Sequence, residues 1–257
     1  MTPILHIPHS SKHIPERFIE TYIGGEDIIE SENNKLCDLH TDTLFQPRDI
    51  KVKSIIFPYS RIFVDVERFR DSSQEVMAER GMGALYTNGH KLNQIRNPID
   101  AVDAEEILTE YYDTHHDIFT EAVEHELLKT SKAVIIDCHS FPKEKLPYEG
   151  KSDEHRPEIC IGTDDFHTPK ILSENFKTSF EKLGYEVKFN TPFSGSIVPL
   201  KYYQKNKDVM SIMIEVRRDL FIDETSNAPN DNFDKVRGDI ERVLAECLSN
   251  NNAVFKL

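Results

Sequence analysis

The chain has little that would staple it, thread it through a membrane or bind it to a polyanion. Its four cysteines (Cys37, Cys138, Cys160, Cys247) lie far apart and form no CxxC pair. That excludes a disulfide framework and a thiolate zinc knot, and leaves them as small core residues. No apolar run approaches the length needed to span a bilayer, and the N-terminus lacks a charged region followed by an apolar stretch and a cleavage site. The expectation is an unprocessed, cytoplasmic protein with no membrane partner. Positive charge is short too: 31 Lys and Arg stand against 45 Asp and Glu, a formal net charge of −14. Phosphate binding needs a basic face, so nucleic acid is excluded as a natural partner. In so acidic a chain an arginine cluster becomes informative, because an anionic ligand needs local positive charge.

Internal repeats, low-complexity tracts and linkers rich in Gly, Pro or Ser are absent as well. A chain of 257 residues, 38% apolar and 30% charged, fits one α/β unit with a large core, so 1–257 is read as a single domain. Apolar runs at Pro3–Ile7, Lys53–Pro58, Ala133–Asp137, Ile159–Gly162, Tyr185–Asn190 and Ser211–Val216 predict buried strands. Three-to-four spacing of apolar residues predicts a long helix from about Asp103 to Lys129, with Asp103 and Glu106 as its capping box. Further helices are expected at Glu32–Phe45, Pro169–Leu183 and Phe233–Leu248. Strands alternating with helices imply an α/β fold with a mixed, mostly parallel sheet. The longest irregular stretches, Phe69–Pro98 and Ser140–Pro157, have the length of functional or mobile loops.

Open α/β sheets bind ligands beyond the carboxyl ends of their strands. His9 follows the first strand and His139–Ser140 follow "AVIIDC". Glu215 sits inside "MSIMIEVRR" ahead of Arg217 and Arg218, and "SRIFVDVERF" supplies Arg61, Asp65, Glu67 and Arg68. Two imidazoles and a carboxylate at strand ends make a zinc set, since catalytic zinc takes three protein ligands and leaves a position for water. Asp137, on the face opposite Cys138, could orient such a ligand. A carboxylate within an apolar strand, as at Glu215, is costly without a partner. It reads either as a proton acceptor beside a metal or as a structural partner of Arg61 or Arg68. The serine-hydrolase reading of His139–Ser140 fails for want of a GxSxG elbow.

Taken in order, "IPHSS", "SRIFVDVERF", "IDCHS", "NTPFSGS" and "MIEVRRDLF" resemble the motifs of the N-formylglutamate amidohydrolase family. "DLHTDTLF", "GMGALYTNG" and "ICIGTDDFHTP" add to the likeness, which runs from the first strand to about Phe221. The resemblance implies a three-layer, zinc-exopeptidase-like α/β fold related to aspartoacylase. It implies hydrolysis of the amide of an N-acyl amino acid, typically N-formyl-L-glutamate to L-glutamate and formate, with one zinc ion and a place in histidine degradation. His9 matches the first metal ligand, His139 the DxH ligand and Glu215 the base. Lys12 stands where relatives keep a ligating glutamate three residues after the histidine, so the third ligand comes from elsewhere. Asp38 and Asp42, one turn apart on the predicted helix, are the candidates, and Asp38 fits the family's Asp-x-His pattern better. "DVER" places Glu67 where asparagine is usual, and "SGS" replaces paired glycines; both bear on substrate choice.

The mechanism so implied has Glu215 taking a proton from water, Arg61 meeting the oxyanion and Arg68 clamping the substrate carboxylate, with Arg217 and Ser140 also in the substrate site. His40, His116 and Ser140 are read as outer groups, with a core histidine the competing reading for His116. His13, His90, His125, His155 and His167 are read as loop or surface residues. A member that has lost catalysis and only binds an acyl amino acid is the alternative. Oligomeric state is not fixed by the sequence.

Overall fold

The computed structural model describes residues 1–150 and 155–248. Six strands, β1 (Ile4–Ile7), β2 (Lys53–Ile56), β3 (Ala133–Phe141), β4 (Ile159–Gly162), β5 (Val187–Phe189) and β6 (Val209–Arg217), form one sheet in the order β2-β1-β3-β6-β4-β5. All neighbours run parallel except β4 and β6. Every apolar run predicted as a strand is therefore present, and the mixed, mostly parallel α/β expectation holds. β3 is longer than its apolar run, however. It continues to Phe141, so His139 and Ser140 are strand residues and not loop residues beyond a strand end.

Side-chain alternation divides the sheet into two faces. Leu5, Ile7, Val134, Ile136, Ile212 and Ile214 pack with Leu172, Phe176 and Phe180 of α5 (Lys170–Lys182) and with Val236, Ile240, Val243 and Leu244 of α6 (Phe233–Leu248). On the other face Ile4, Ala133, Ile135 and Val209 meet Phe119 and Val123 of α4 (Thr114–Thr130). That apolar contact covers only the first half of the strands. Further along, the same face carries His6, Asp137, His139 and Glu215, all buried. The changeover comes under α4 itself, where His6 stacks on Phe119 and meets His115.

Two helical expectations and one loop expectation are corrected. The segment 32–45 is two helices, α1 (Gly25–Leu36) and α2 (Thr41–Leu44). Cys37 is extended and His40 left-handed (φ 67°), and the break is held by the Asp38 N–H on the His9 carbonyl and by Thr41 Oγ on the Asp38 carbonyl. Asp38 and Asp42 are accordingly not on one helix face. The long helix begins with α3 (Ala101–Ile107), capped by Asp100 rather than Asp103, through N–H groups of Val102 and Asp103. Between α3 and α4 the residues Leu108–Asp113 form a wider π turn. The stretch 69–98 is not a free loop: Met82, Ala84, Tyr86 and Ile95 are buried in a second core with Phe18, Ile62, Phe63 and Tyr111. Of the other irregular stretch, 151–154 lie outside the described residues. All four cysteines are buried, and no disulfide joins them among the described residues. No helix among the described residues is long and apolar enough to cross a membrane.

Phe176 is wholly buried between α5 and the sheet. Phe176→Ala should destabilise the fold by roughly 3–5 kcal/mol, the usual result of deleting a buried aromatic ring, measured by urea unfolding followed by circular dichroism.

Candidate active site

His9 leaves β1 through Pro8 and sits 2% exposed. Its Nε2 is 2.8 Å from Asp65 Oδ1, while Nδ1 has no hydrogen-bond partner despite being shielded from solvent. His139, two residues beyond Asp137 on the same face of β3, repeats the pattern. Its Nε2 is 3.0 Å from Asp137 Oδ1 and its Nδ1 is 3.0 Å from Asp38 Oδ2. The same Asp38 oxygen is 3.7 Å from His9 Nδ1. Three donor atoms thus converge, from β1, from the α1–α2 turn and from β3. Behind each imidazole a second carboxylate holds the far nitrogen, an arrangement that fixes ring orientation in metal sites. The orphaned His9 Nδ1 and the two backing carboxylates fit a divalent ion. Asp42, by contrast, is exposed and caps the Thr43 N–H, and Lys12 points outward to Asn34.

Asp38 has a second anchor. Arg218, 5% exposed, donates from Nη2 to Asp38 Oδ1 (2.9 Å), from Nε to Ser140 Oγ (3.2 Å) and from Nη1 to the Lys35 carbonyl (2.8 Å). Burial alone would raise the Asp38 pKa, but the His139 and His9 rings and the Arg218 charge hold it well below the carboxylate range. His139 moves the other way: burial opposes its charge, yet Asp137 and Asp38 raise it well above its ordinary value. Asp65 is wholly buried and accepts from His9, from Arg61 Nη2 (2.9 Å), from the Tyr86 hydroxyl (2.8 Å) and from the Glu67 N–H (3.0 Å). Against its burial, the Arg61 charge and His9 hold it far down.

These groups open onto a cavity of about 810 Å³, a small-molecule size. Glu215 lines it, 7% exposed, with Oε2 unpartnered; burial pushes its carboxyl up to about 8. It stands opposite His139 in the β3–β6 register. Arg61, Arg68, Arg156, Arg217 and Arg218 line the same cavity, so local positive charge collects in an otherwise acidic protein. They are not equivalent. Arg61 is bound to Asp65 and the Leu36 carbonyl, and Arg217 to Asp219 and the Arg156 carbonyl. Arg68 Nε, 3.8 Å from Asp65 Oδ2, has no hydrogen-bond partner. Arg156 pairs with Glu149 (2.6 Å) and lies over Phe141 and Phe193, with Nε and Nη2 unpartnered.

Of the residues singled out in the sequence, His9, Asp38, His139, Glu215, Arg61, Arg68, Arg217 and Ser140 reach the cavity wall, and Asp42 does not. Arg218 and Arg156 were not singled out for the site. Strand alternation favours Arg217 beside Glu215, but β6 ends at Arg217 and a 3₁₀ turn at Arg218–Leu220 brings the next guanidinium inward. Arg156 carries no signal, standing alone in a loop. His40 bonds the Asn227 carbonyl, on the far side of α2, and His116 the Val66 carbonyl. His90 and His167 lie in loops, as read, but are buried there, held by Glu32 and by the Val209 carbonyl with the Gln204 N–H.

The family profile of N-formylglutamate amidohydrolases matches residues 2–222. The chain belongs to the N-formylglutamate amidohydrolase family. It is a hydrolase acting on amide bonds. Its fold is similar to the crystal structure of N-formylglutamate amidohydrolase from Ralstonia eutropha JMP134, with a TM-score of 0.77 at 20% identity over 95% of this chain and 91% of that one. A gene product of Agrobacterium tumefaciens is similar too, with a TM-score of 0.69 at 17% identity over 96% and 90% of the two chains. No curated protein matches in sequence. The helix α6 lies past the profile match of the amidohydrolase but packs into the same core as β3 and β6.

Because Asp65 is ionised far below its unfolded value of 3.8, its stabilisation is present above that pH and is lost as pH falls below it. Asp65→Asn leaves Arg61 buried without its partner and should lower stability by about 3–5 kcal/mol at neutral pH. In urea unfolding across pH, the gap to the parent protein should narrow below pH 3.8. A constant gap would contradict this role.

Proposed function

We propose that the protein is a single-domain, zinc-dependent amidohydrolase that releases the acyl group, formyl in the simplest case, from an N-acyl amino acid such as N-formyl-L-glutamate. The observation that carries this reading is one cavity in which an unpartnered imidazole nitrogen, an unpartnered buried carboxyl and an unpartnered guanidinium nitrogen face the same space. They belong to His9, Glu215 and Arg68. A zinc ion held by His9, Asp38 and His139 would supply Lewis acidity that lowers the pKa of water and polarises a carbonyl.

The chain's own groups do the rest. Arg68 binds the substrate carboxylate, a planar anion matched to a planar fork of N–H donors. Arg156 and Arg217 add positive charge at the outer wall, suited to the second carboxylate of a glutamyl side chain. Glu215 accepts a proton from the attacking water and returns it to the leaving amine nitrogen, so that water and N-formylglutamate become formate and glutamate. Burial holds this carboxyl up to about 8, and positive charge beside it lowers that value, so that the ionised form able to take the proton is present. Arg61 faces the cavity with its charge and stabilises the oxyanion that develops on the amide oxygen. Ser140 holds Arg218, which keeps Asp38 in place. Four buried cysteines with no disulfide among the described residues accord with a reducing, cytoplasmic setting, and the likeness in sequence carries the place in histidine degradation.

Glu215→Gln keeps the shape of the side chain and removes its basicity. Formate release from N-formyl-L-glutamate should fall roughly 10²–10⁴-fold with zinc content unchanged; release at the parent rate would refute the role. Arg68→Lys should mainly raise KM, because an ammonium cannot reproduce a two-pronged contact. Steady-state kinetics separates the two effects.

A further inference from the structure

Beside His9, Asp38 and His139 lies a second convergence of donor atoms that the proposed mechanism does not use. His6 Nδ1 is 3.0 Å from Asp137 Oδ1 and 3.1 Å from Glu67 Oε1. His139 Nε2 is 3.0 Å from the same Asp137 oxygen and 3.8 Å from Glu67 Oε2. His6 and Asp137 are wholly buried, His139 is 5% exposed, and Glu67 reaches the cavity. We propose that His6, Glu67 and Asp137, completed by Nε2 of His139, form a second divalent-cation site, with the His139 ring standing between the two sites.

Spacing, protons and support all point this way. An ion bound tetrahedrally at about 2.0–2.2 Å holds its donors roughly 3.3–3.6 Å apart, and the separations here, 3.0–3.8 Å, bracket that range. His6 Nε2 and His115 Nε2 are 3.0 Å apart, so one proton serves both nitrogens. With that proton on His6 Nε2, the Nδ1 lone pair is available to a cation held between the two carboxylates. Glu67 Oε1 is shielded from solvent and makes no hydrogen bond. The ring of His6 is fixed by stacking on Phe119 (4.6 Å, 13°), and the Ile197 N–H donates to the other oxygen of Asp137 (3.3 Å). His115, Phe119 and Ile197 thus orient the donors from behind, as outer groups do at metal sites.

The count of two ions rests on the metal reading of His9, Asp38 and His139; the inner site rests on its own donors. With both ions bound, His139 coordinates through both nitrogens and releases its remaining N–H proton to solvent.

The test is zinc stoichiometry by equilibrium dialysis and mass spectrometry on chelator-stripped full-length protein, with cobalt absorption spectra as a second readout. The parent protein should bind two equivalents. Glu67→Gln and, independently, His6→Gln should each leave one, and weaken the other by more than the ~10–100-fold typical of losing an outer-shell partner. Asp38→Asn should leave the inner equivalent and its cobalt spectrum. Circular dichroism and the agreement of the two inner-site variants guard against a folding defect. Zinc content and affinity unchanged in both Glu67→Gln and His6→Gln would overturn the inner site. A single equivalent lost in Glu67→Gln but kept in Asp38→Asn would support the inner site and overturn the outer one. The reverse loss would overturn the inner site alone, and no zinc in any form would overturn both.

Discussion

The carboxylate of Asp65 is the point on which the cavity depends. It is wholly buried and accepts five hydrogen bonds, two from a guanidinium and one each from an imidazole, a phenol and a backbone N–H. A bare carboxylate in that position would be expelled or protonated; the surrounding donors and the Arg61 charge reverse the sign of the effect. Through it, the end of β1 is tied to the 57–99 segment, whose Phe63, Met82 and Tyr86 form a core of their own. His9 is aimed because Asp65 is fixed, and Asp65 is fixed because that second core is well packed. Arg68, three residues on, is left with an unpartnered nitrogen at the cavity for the same reason: Asp65 is already taken by Arg61.

The strand set was legible because buried parallel strands read as short apolar runs, and all six are present. The ligand face was legible in part. Alternation in "AVIIDCHS" separates Asp137 and His139 from Cys138, and the structure puts the first two beside the cavity groups. What failed did so where a local pattern was overridden by a distant partner. The helix across 32–45 breaks because the Asp38 N–H and carboxylate are claimed by the His9 carbonyl and by Arg218, 180 positions away in sequence. Arg218 could not be read from strand alternation because the strand ends one residue before it. The buried nature of 69–98 was hidden because its apolar residues follow no regular period; their partners are scattered over several helices, turns and loops rather than one neighbouring element.

Charge distribution gives the acidic surface a counterpart. A formal net charge of −14 repels a dianion at long range, while six arginines at one cavity attract it at short range. Screening at physiological salt reaches about 8 Å, which weakens the diffuse repulsion of the surface more than the contacts within the cavity. Attraction of an acidic ligand to the cavity therefore falls to the few guanidinium groups that keep unpartnered N–H donors.

The π turn between α3 and α4 gives the helix one residue more than regular winding would hold over that span. In an ordinary α-helix each residue advances the azimuth by about 100°. Removing a single residue from 108–113 and restoring regular winding would swing Ala101–Ile107 around the axis relative to His115 and His116, without touching either histidine. The histidines behind the sheet's polar half are therefore positioned by the length of a helix as well as by its composition, so a one-residue insertion or deletion there acts on the site as a rotation, not as a loss.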